Sequence, residues 1–127
     1  MTAKKGTTGQ LPPMELAIMH VLWDRGSSTV QEVQEQLKGD PAYTTVQTIL
    51  NTMAHKGRSK RTLKGKAFVY RAALARDTAL GNAVKDLIQR TFQGSVEDLL
   101  MNLVKTEQID AGALKRIEAM LAKEAER

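Results

Sequence analysis

Apolar positions are spaced for helices over most of this chain, and one short stretch is spaced otherwise. Met14, Ala17, Ile18, Val21 and Leu22 form one apolar side of a helix over about residues 13–24, with Pro13 in its first turn. Leu16, Met19, His20 and Trp23 form a second side. A helix apolar on two sides is sandwiched, so one side is expected to pack on the next two helices and the other to need a cover, supplied by the C-terminal half. His20 reads there as a packing or hydrogen-bonding residue rather than a ligand. Thr29 and Glu32 stand at capping-box spacing before a helix over about residues 30–38. Val46, Ile49, Leu50 and Met53 make the core stripe of a third helix, over about residues 44–56, stopped by Gly57. Residues 59–64 and 67–71 flank Gly65-Lys66, and the run Ala67-Phe68-Val69-Tyr70-Arg71 is rich in aromatic and β-branched residues, which predicts a β-hairpin. Three more amphipathic helices follow, over about residues 76–93, from Ser95 to about 104, and from Asp110 to about 123. Residues 1–10 are polar and Gly/Thr-rich and predict a disordered, weakly basic arm.

Charge changes this picture more than composition does. Residues 1–40 carry a net charge of −1 and residues 77–127 a net of −2, whereas residues 41–76 hold eight Lys or Arg and no acid. The chain's whole basic excess lies in the third helix and the hairpin, which points to a polyanion and to nucleic acid in particular. Zero cysteines exclude a disulfide framework, a zinc-thiolate site and a thiolate nucleophile, and fit a cytoplasmic protein. No stretch has the apolar core of a signal peptide or approaches the ~18 apolar residues of a membrane span, so no membrane insertion is expected. No nucleophile–base pair, paired carboxylate motif, Gly-rich phosphate loop or metal constellation is present, so neither an enzyme nor a cofactor or metal is expected.

Helix, helix, helix, hairpin is the order of a winged helix-turn-helix, in which the third helix enters the DNA major groove. The side of that helix opposite its core stripe presents Thr44, Thr48, Asn51 and His55, flanked by Thr45, Gln47 and Thr52, again without an acid. Solvated helix faces usually carry Glu and Lys. Small hydroxyls and amides suit a surface that approaches base edges, where Asn or Gln pairs with adenine and a Thr methyl packs on thymine. Thr44, Thr45, Gln47, Thr48 and Asn51 are therefore the candidate base-edge residues. His55, Arg58, Lys60, Arg61, Lys64 and Lys66 are candidate phosphate contacts, with Arg71 beyond them in the hairpin. Tyr43 is either a packing residue or a hydroxyl donor to a phosphate.

The runs LPPMELAIMHVLWDRG, STVQEVQEQL, AYTTVQTILNTMAHKG and GKAFVYRA resemble, in order, the penicillinase-repressor family of bacterial transcription factors, the BlaI/MecI type with copper-responsive CopY relatives. The resemblance covers about residues 11–121. It implies a mostly α fold with a small β-hairpin wing: a winged helix DNA-binding domain over residues 11–73, then a three-helix dimerisation domain over residues 74–127. It implies a homodimeric repressor of double-stranded promoter DNA with inverted repeats, controlling β-lactam-resistance or related stress genes. In such proteins a membrane sensor protease cuts an Asn-Phe bond, which Asn102-Leu103 resembles. Three departures bear on this. Arg58 and Ser59 replace two usual apolar residues after Gly57, which predicts weaker packing of the first wing strand and leaves its length open. Thr52 replaces a frequent Arg, so a backbone anchor is either missing or supplied by Arg58. The absence of cysteine excludes copper sensing of the CopY kind.

Three short C-terminal helices make a poor independent core, which predicts either a two-fold dimer through Leu80, Val84, Leu87, Ile88, Leu99, Leu100, Leu103, Ile117 and Leu121 or folding back on the first helix within one chain, two arrangements that can coexist. The alternative from another class is a winged helix protein-interaction module whose basic surface docks an acidic partner without sequence-specific DNA binding.

Overall fold

A computed structural model describes residues 11–127, and the arm expected over residues 1–10 lies outside the described residues. Among the described residues, six helices and one two-stranded antiparallel sheet follow in the order α1 (Pro13–Arg25), α2 (Val30–Gln36), α3 (Tyr43–His55), β1 (Ser59–Lys64), β2 (Ala67–Ala72), α4 (Arg76–Thr91), α5 (Val96–Lys105) and α6 (Ala111–Ala125). The expected winged helix order and the mostly helical class are both present. The chain divides into two compact units, one ending at Asp86 and one running Leu87–Arg127. The division falls within α4.

Local chemistry explains the element ends. Thr29 and Glu32 form the expected capping box: Thr29 Oγ1 accepts from the Glu32 amide at 3.1 Å, and Glu32 Oε1 accepts from the Thr29 amide at 2.9 Å. Ser95 accepts from the Asp98 amide, and Asp110 from the Ala113 amide, at the starts of α5 and α6. In the hairpin, Lys64 pairs with Ala67, leaving a two-residue turn. Gly65 holds φ at 62° there, a left-handed value that such a turn needs at its first residue and that glycine takes without a Cβ clash.

The core of the first unit joins Ile18, Met19, Val21 and Leu22 of α1, Val30, Val33 and Leu37, Val46, Leu50 and Met53 of α3, and Tyr70 of β2. Burial on α1 draws from both expected apolar sides, with Glu15 joining the buried stripe at the helical spacing 15, 18, 19, 22. The remaining apolar side is partly covered: Trp23 Nε1 donates to the Leu74 carbonyl at 2.9 Å. Leu16, His20 and Trp23 line a cavity of about 300 Å³ with Leu74, Leu80 and Ala83. The cover therefore comes from the start of α4.

Arg58 and Ser59 anchor the start of the first strand, whose other five residues are exposed. Both are buried, and β1 runs its full six residues in register with β2 from Ser59↔Ala72 to Lys64↔Ala67. The Arg58 guanidinium forms a buried ion pair with Glu15, and the Ser59 hydroxyl donates to the Leu50 carbonyl at 3.3 Å. Polar groups hold the apolar-position pair in place because each meets a partner on burial. In α4, α5 and α6, by contrast, no described residue is buried.

Candidate nucleic-acid interface

Helix α3 buries Val46, Leu50 and Met53 and leaves Thr44, Thr45, Gln47, Thr48, Thr52 and His55 exposed. The amphipathic register read from sequence is therefore the register in the fold. Its N-terminus differs from that of α2. Ala42 supplies no side-chain cap, and the first turn holds no acid, so the positive end of the helix dipole is left uncompensated by either. Tyr43 is the first residue of α3 and is half-exposed, lining a groove with Gln31, Gln47, Lys66 and Phe68.

The hairpin sorts its residues by face, because directly opposed residues of an antiparallel pair share a side. Ser59, Arg61 and Leu63 share one face with Ala72, Tyr70 and Phe68. Lys60, Thr62 and Lys64 share the other with Arg71, Val69 and Ala67. Lys60 and Arg71 are thus like charges placed directly opposite and exposed, an arrangement that costs stability in the protein alone and that an anion between them relieves. Lys64 precedes the turn, Lys66 is its second residue, and both are exposed. On the first face, Leu63 (58 % exposed) and Phe68 (41 % exposed) continue the apolar row beyond the core. The Arg61 guanidinium lies 4.3 Å from the Phe68 ring centroid, a cation–π contact.

Two of the eight cations in the acid-free window are held by one carboxylate. Lys56 Nζ lies 3.0 Å from Glu15 Oε2, and Arg58, 4 % exposed, pairs with the other oxygen of the same carboxylate. The assignment of Arg58 as a phosphate contact is corrected: its charge is spent inside the fold on Glu15, since a guanidinium buried without a carboxylate would be strongly unfavourable. Nor does it replace the basic anchor absent at Thr52. Asn51, a candidate base-edge residue, already has partners within the fold. It is half-buried, and its Oδ1 accepts hydrogen bonds from the Tyr70 hydroxyl at 2.7 Å and from Arg61 Nη1 at 3.1 Å. His55 borders a shallow pit with Asn51, Ala54 and Arg61, where α3 meets the wing.

Glu15, Ser28 and Tyr70 were given no site role by sequence. Glu15 had a legible signal, the lone acid on the buried stripe of α1. Ser28 had none: its importance comes from a backbone bridge to Tyr70, with amide-to-carbonyl distances of 2.9 and 2.7 Å, that adds the α1–α2 loop to the edge of β2.

In the second unit the residues expected at a dimer face remain accessible. Leu87, Leu100, Ile117 and Leu121 are exposed, Leu80 and Val84 are exposed in the first unit, and Ile88, Leu99 and Leu103 are half-buried. Asn102 is exposed in the middle of α5, its carbonyl accepting from the Thr106 amide and hydroxyl. Among the described residues no three His, Cys, Asp or Glu side chains cluster as metal ligands, and no helix is long and apolar enough to cross a membrane.

The chain matches the family model described as Penicillinase repressor over residues 11–123. It is 34 % identical over 117 residues to the transcriptional regulator BlaI of Mycobacterium tuberculosis, covering 88 % of this chain and 85 % of that protein. It is 22 % identical over 114 residues to the penicillinase repressor of Bacillus licheniformis, covering 88 % and 89 %. It is 21 % identical over 120 residues to the methicillin resistance regulatory protein MecI of Mammaliicoccus sciuri, covering 91 % and 96 %. A family match spanning the winged helix and all three C-terminal helices places the chain in the penicillinase repressor family.

Proposed function

We propose that this protein is a homodimeric transcriptional repressor that binds inverted-repeat promoter DNA, a role within the cytoplasm that needs no cofactor. The observation carrying it is the coincidence of an acid-free, Thr-rich exposed face on α3 with an exposed cationic hairpin beside it. Helix α3 enters the major groove and reads base edges through Thr44, Thr45, Gln47 and Thr48. Lys60, Lys64, Lys66, Arg71, Tyr43 and His55 meet the sugar-phosphate strands, which fixes register without carrying sequence information. The named relatives, a penicillinase repressor, the transcriptional regulator BlaI and the methicillin resistance regulatory protein MecI, support β-lactam-resistance or related stress genes as targets.

The exposed apolar residues of α4–α6 support pairing of two copies through Leu80, Val84, Leu87, Ile88, Leu99, Leu100, Leu103, Ile117 and Leu121. A dimer carries two recognition helices about one DNA turn apart, roughly 34–36 Å, or a multiple of it. Relief of repression by a membrane sensor protease cutting between Asn102 and Leu103 follows the same reading. The bond lies in an exposed helix of a unit without buried residues, where local opening is easiest. Cutting removes α6 and with it the high effective concentration of the second half-site.

Titration of an inverted-repeat promoter fragment against random duplex at several salt concentrations tests the reading. Affinity falls with a log–log slope of about −0.9 per neutralised phosphate, and the promoter outcompetes random duplex. Equal competition by random duplex sinks the claim of specificity. No duplex binding even at low salt favours the protein-interaction module instead. A chain left intact by the sensor protease after induction overturns the cleavage step.

A further inference from the structure

The carboxamide of Asn51 is already occupied in the free protein. Arg61 Nη1 and the Tyr70 hydroxyl both reach its Oδ1, at 3.1 and 2.7 Å. A guanidinium has donors only, so the atom it meets is the oxygen, and a hydroxyl reaching that same oxygen donates to it. Both lone pairs are thereby used. Bidentate recognition of adenine needs this oxygen to accept from N6 while the amide nitrogen donates to N7. The two uses compete for the same lone pairs.

We infer that Asn51 is a positioning residue that latches the wing to the recognition helix, leaving base reading to the N-terminal half of α3. Arg61 and Tyr70 stand directly opposite each other across the hairpin, so one oxygen of α3 ties both strands at the same level. Tyr70 is itself fixed from the other side. Its ring is 1 % exposed, and its backbone is bridged to Ser28 in the α1–α2 loop. Arg61 is held by the Phe68 ring as well as by Asn51. From Arg61 to Gly65 the strand extends roughly 13 Å at about 3.3 Å per residue, so a small rotation at the latch moves Lys64 and Lys66 by several ångströms. The latch therefore sets where the wing cations meet the backbone relative to α3. Its consequence for DNA rests on the repressor reading above; its consequence for the wing does not.

Tyr70 decides the matter, because a side chain so deeply buried cannot touch a base. Tyr70→Phe keeps the ring and removes only the hydroxyl. Asn51→Ala, Tyr70→Phe and the double variant are compared with wild-type in two measurements. In the free protein, amide hydrogen exchange in β1 and β2 rises about three- to tenfold in each single variant, and the double variant is no faster than the singles, as expected for one shared interaction. Against a pool of duplexes with randomised half-sites, all three lose affinity by similar factors while their base preferences stay those of wild-type. Unchanged wing exchange in both single variants overturns the latch. So does an Asn51→Ala protein that relaxes preference at one base pair while Tyr70→Phe binds as wild-type. If wild-type binds no duplex at low salt, the repressor reading falls, and the exchange measurement still decides the latch.

Discussion

Leu50 and Leu100 both lie on the apolar side of an amphipathic helix, yet Leu50 is fully buried whereas Leu100 remains 47 % exposed. The difference runs through the two units that contain them. The first closes a core from α1, α2, α3 and β2, with a buried ion pair and a satisfied serine at its margin. The second has helices of equal quality, two of them with capped N-termini, and buries none of its described residues. Helix propensity, caps and amphipathic spacing are therefore not what separates them. The first unit brings four elements around one centre within a single chain; the second offers apolar stripes that a single copy leaves wet. These exposed stripes are what the proposed pairing of two copies would cover.

The largest effect separates the two units outright. Ile117→Asp combined with Leu121→Asp is expected to leave the winged unit folded and to convert the protein to monomers by sedimentation. Operator affinity then falls roughly 10²- to 10⁴-fold through loss of the tethered second half-site. A double variant that remains dimeric breaks the comparison. Next, Glu15→Ala leaves Arg58 buried without its carboxylate and is expected to cost about 3–5 kcal/mol in denaturant unfolding of the first unit, the usual penalty for stranding one partner of a buried pair. A cost below about 1 kcal/mol shows that the Arg58 guanidinium is satisfied without Glu15. Thr48→Ala is expected to reduce discrimination at one base pair by about 1–3 kcal/mol in competition binding, with stability nearly unchanged. Lys64→Ala with Lys66→Ala instead weakens all duplexes alike and reduces the magnitude of the salt slope by about 1.8, two phosphates' worth. The smallest effect sharpens the contrast between units. Thr29→Ala and Ser95→Ala each remove one N-cap worth about 1 kcal/mol. The first lowers the stability of the winged unit at any protein concentration. The second acts on folding coupled to pairing, so its effect on the melting point depends on protein concentration.

Much of the first unit was legible because its signals are local. The capping box, the Gly65-Lys66 turn and the core stripe of α3 each lie within a few residues of sequence, and each recurs in the fold at the expected place. The ends of the helices moved by only a residue or a few, as α2 stops at Gln36 rather than near residue 38. What escaped was non-local. Arg58 read as a surface cation because its neighbours in sequence are cations; its partner Glu15 lies 43 residues away. Asn51 read as a base contact because it shares a helix face with threonines, while the two donors that occupy it stand 10 and 19 residues further on.

The sequence by itself determined which residues form helices, where the hairpin turns, which face of α3 is wet and where the positive charge concentrates, since these depend on short-range sterics, caps and periodicity. Only the tertiary structure decided how that charge is spent. It tied Lys56 and the buried Arg58 to one carboxylate, kept Lys60 and Arg71 opposed on an outer face, and gave the oxygen of Asn51 to the wing. The physical reason is that a polar group's role is set by the partner within about 3 Å of it. In a folded chain that partner is chosen by the packing of distant segments rather than by neighbours along the sequence.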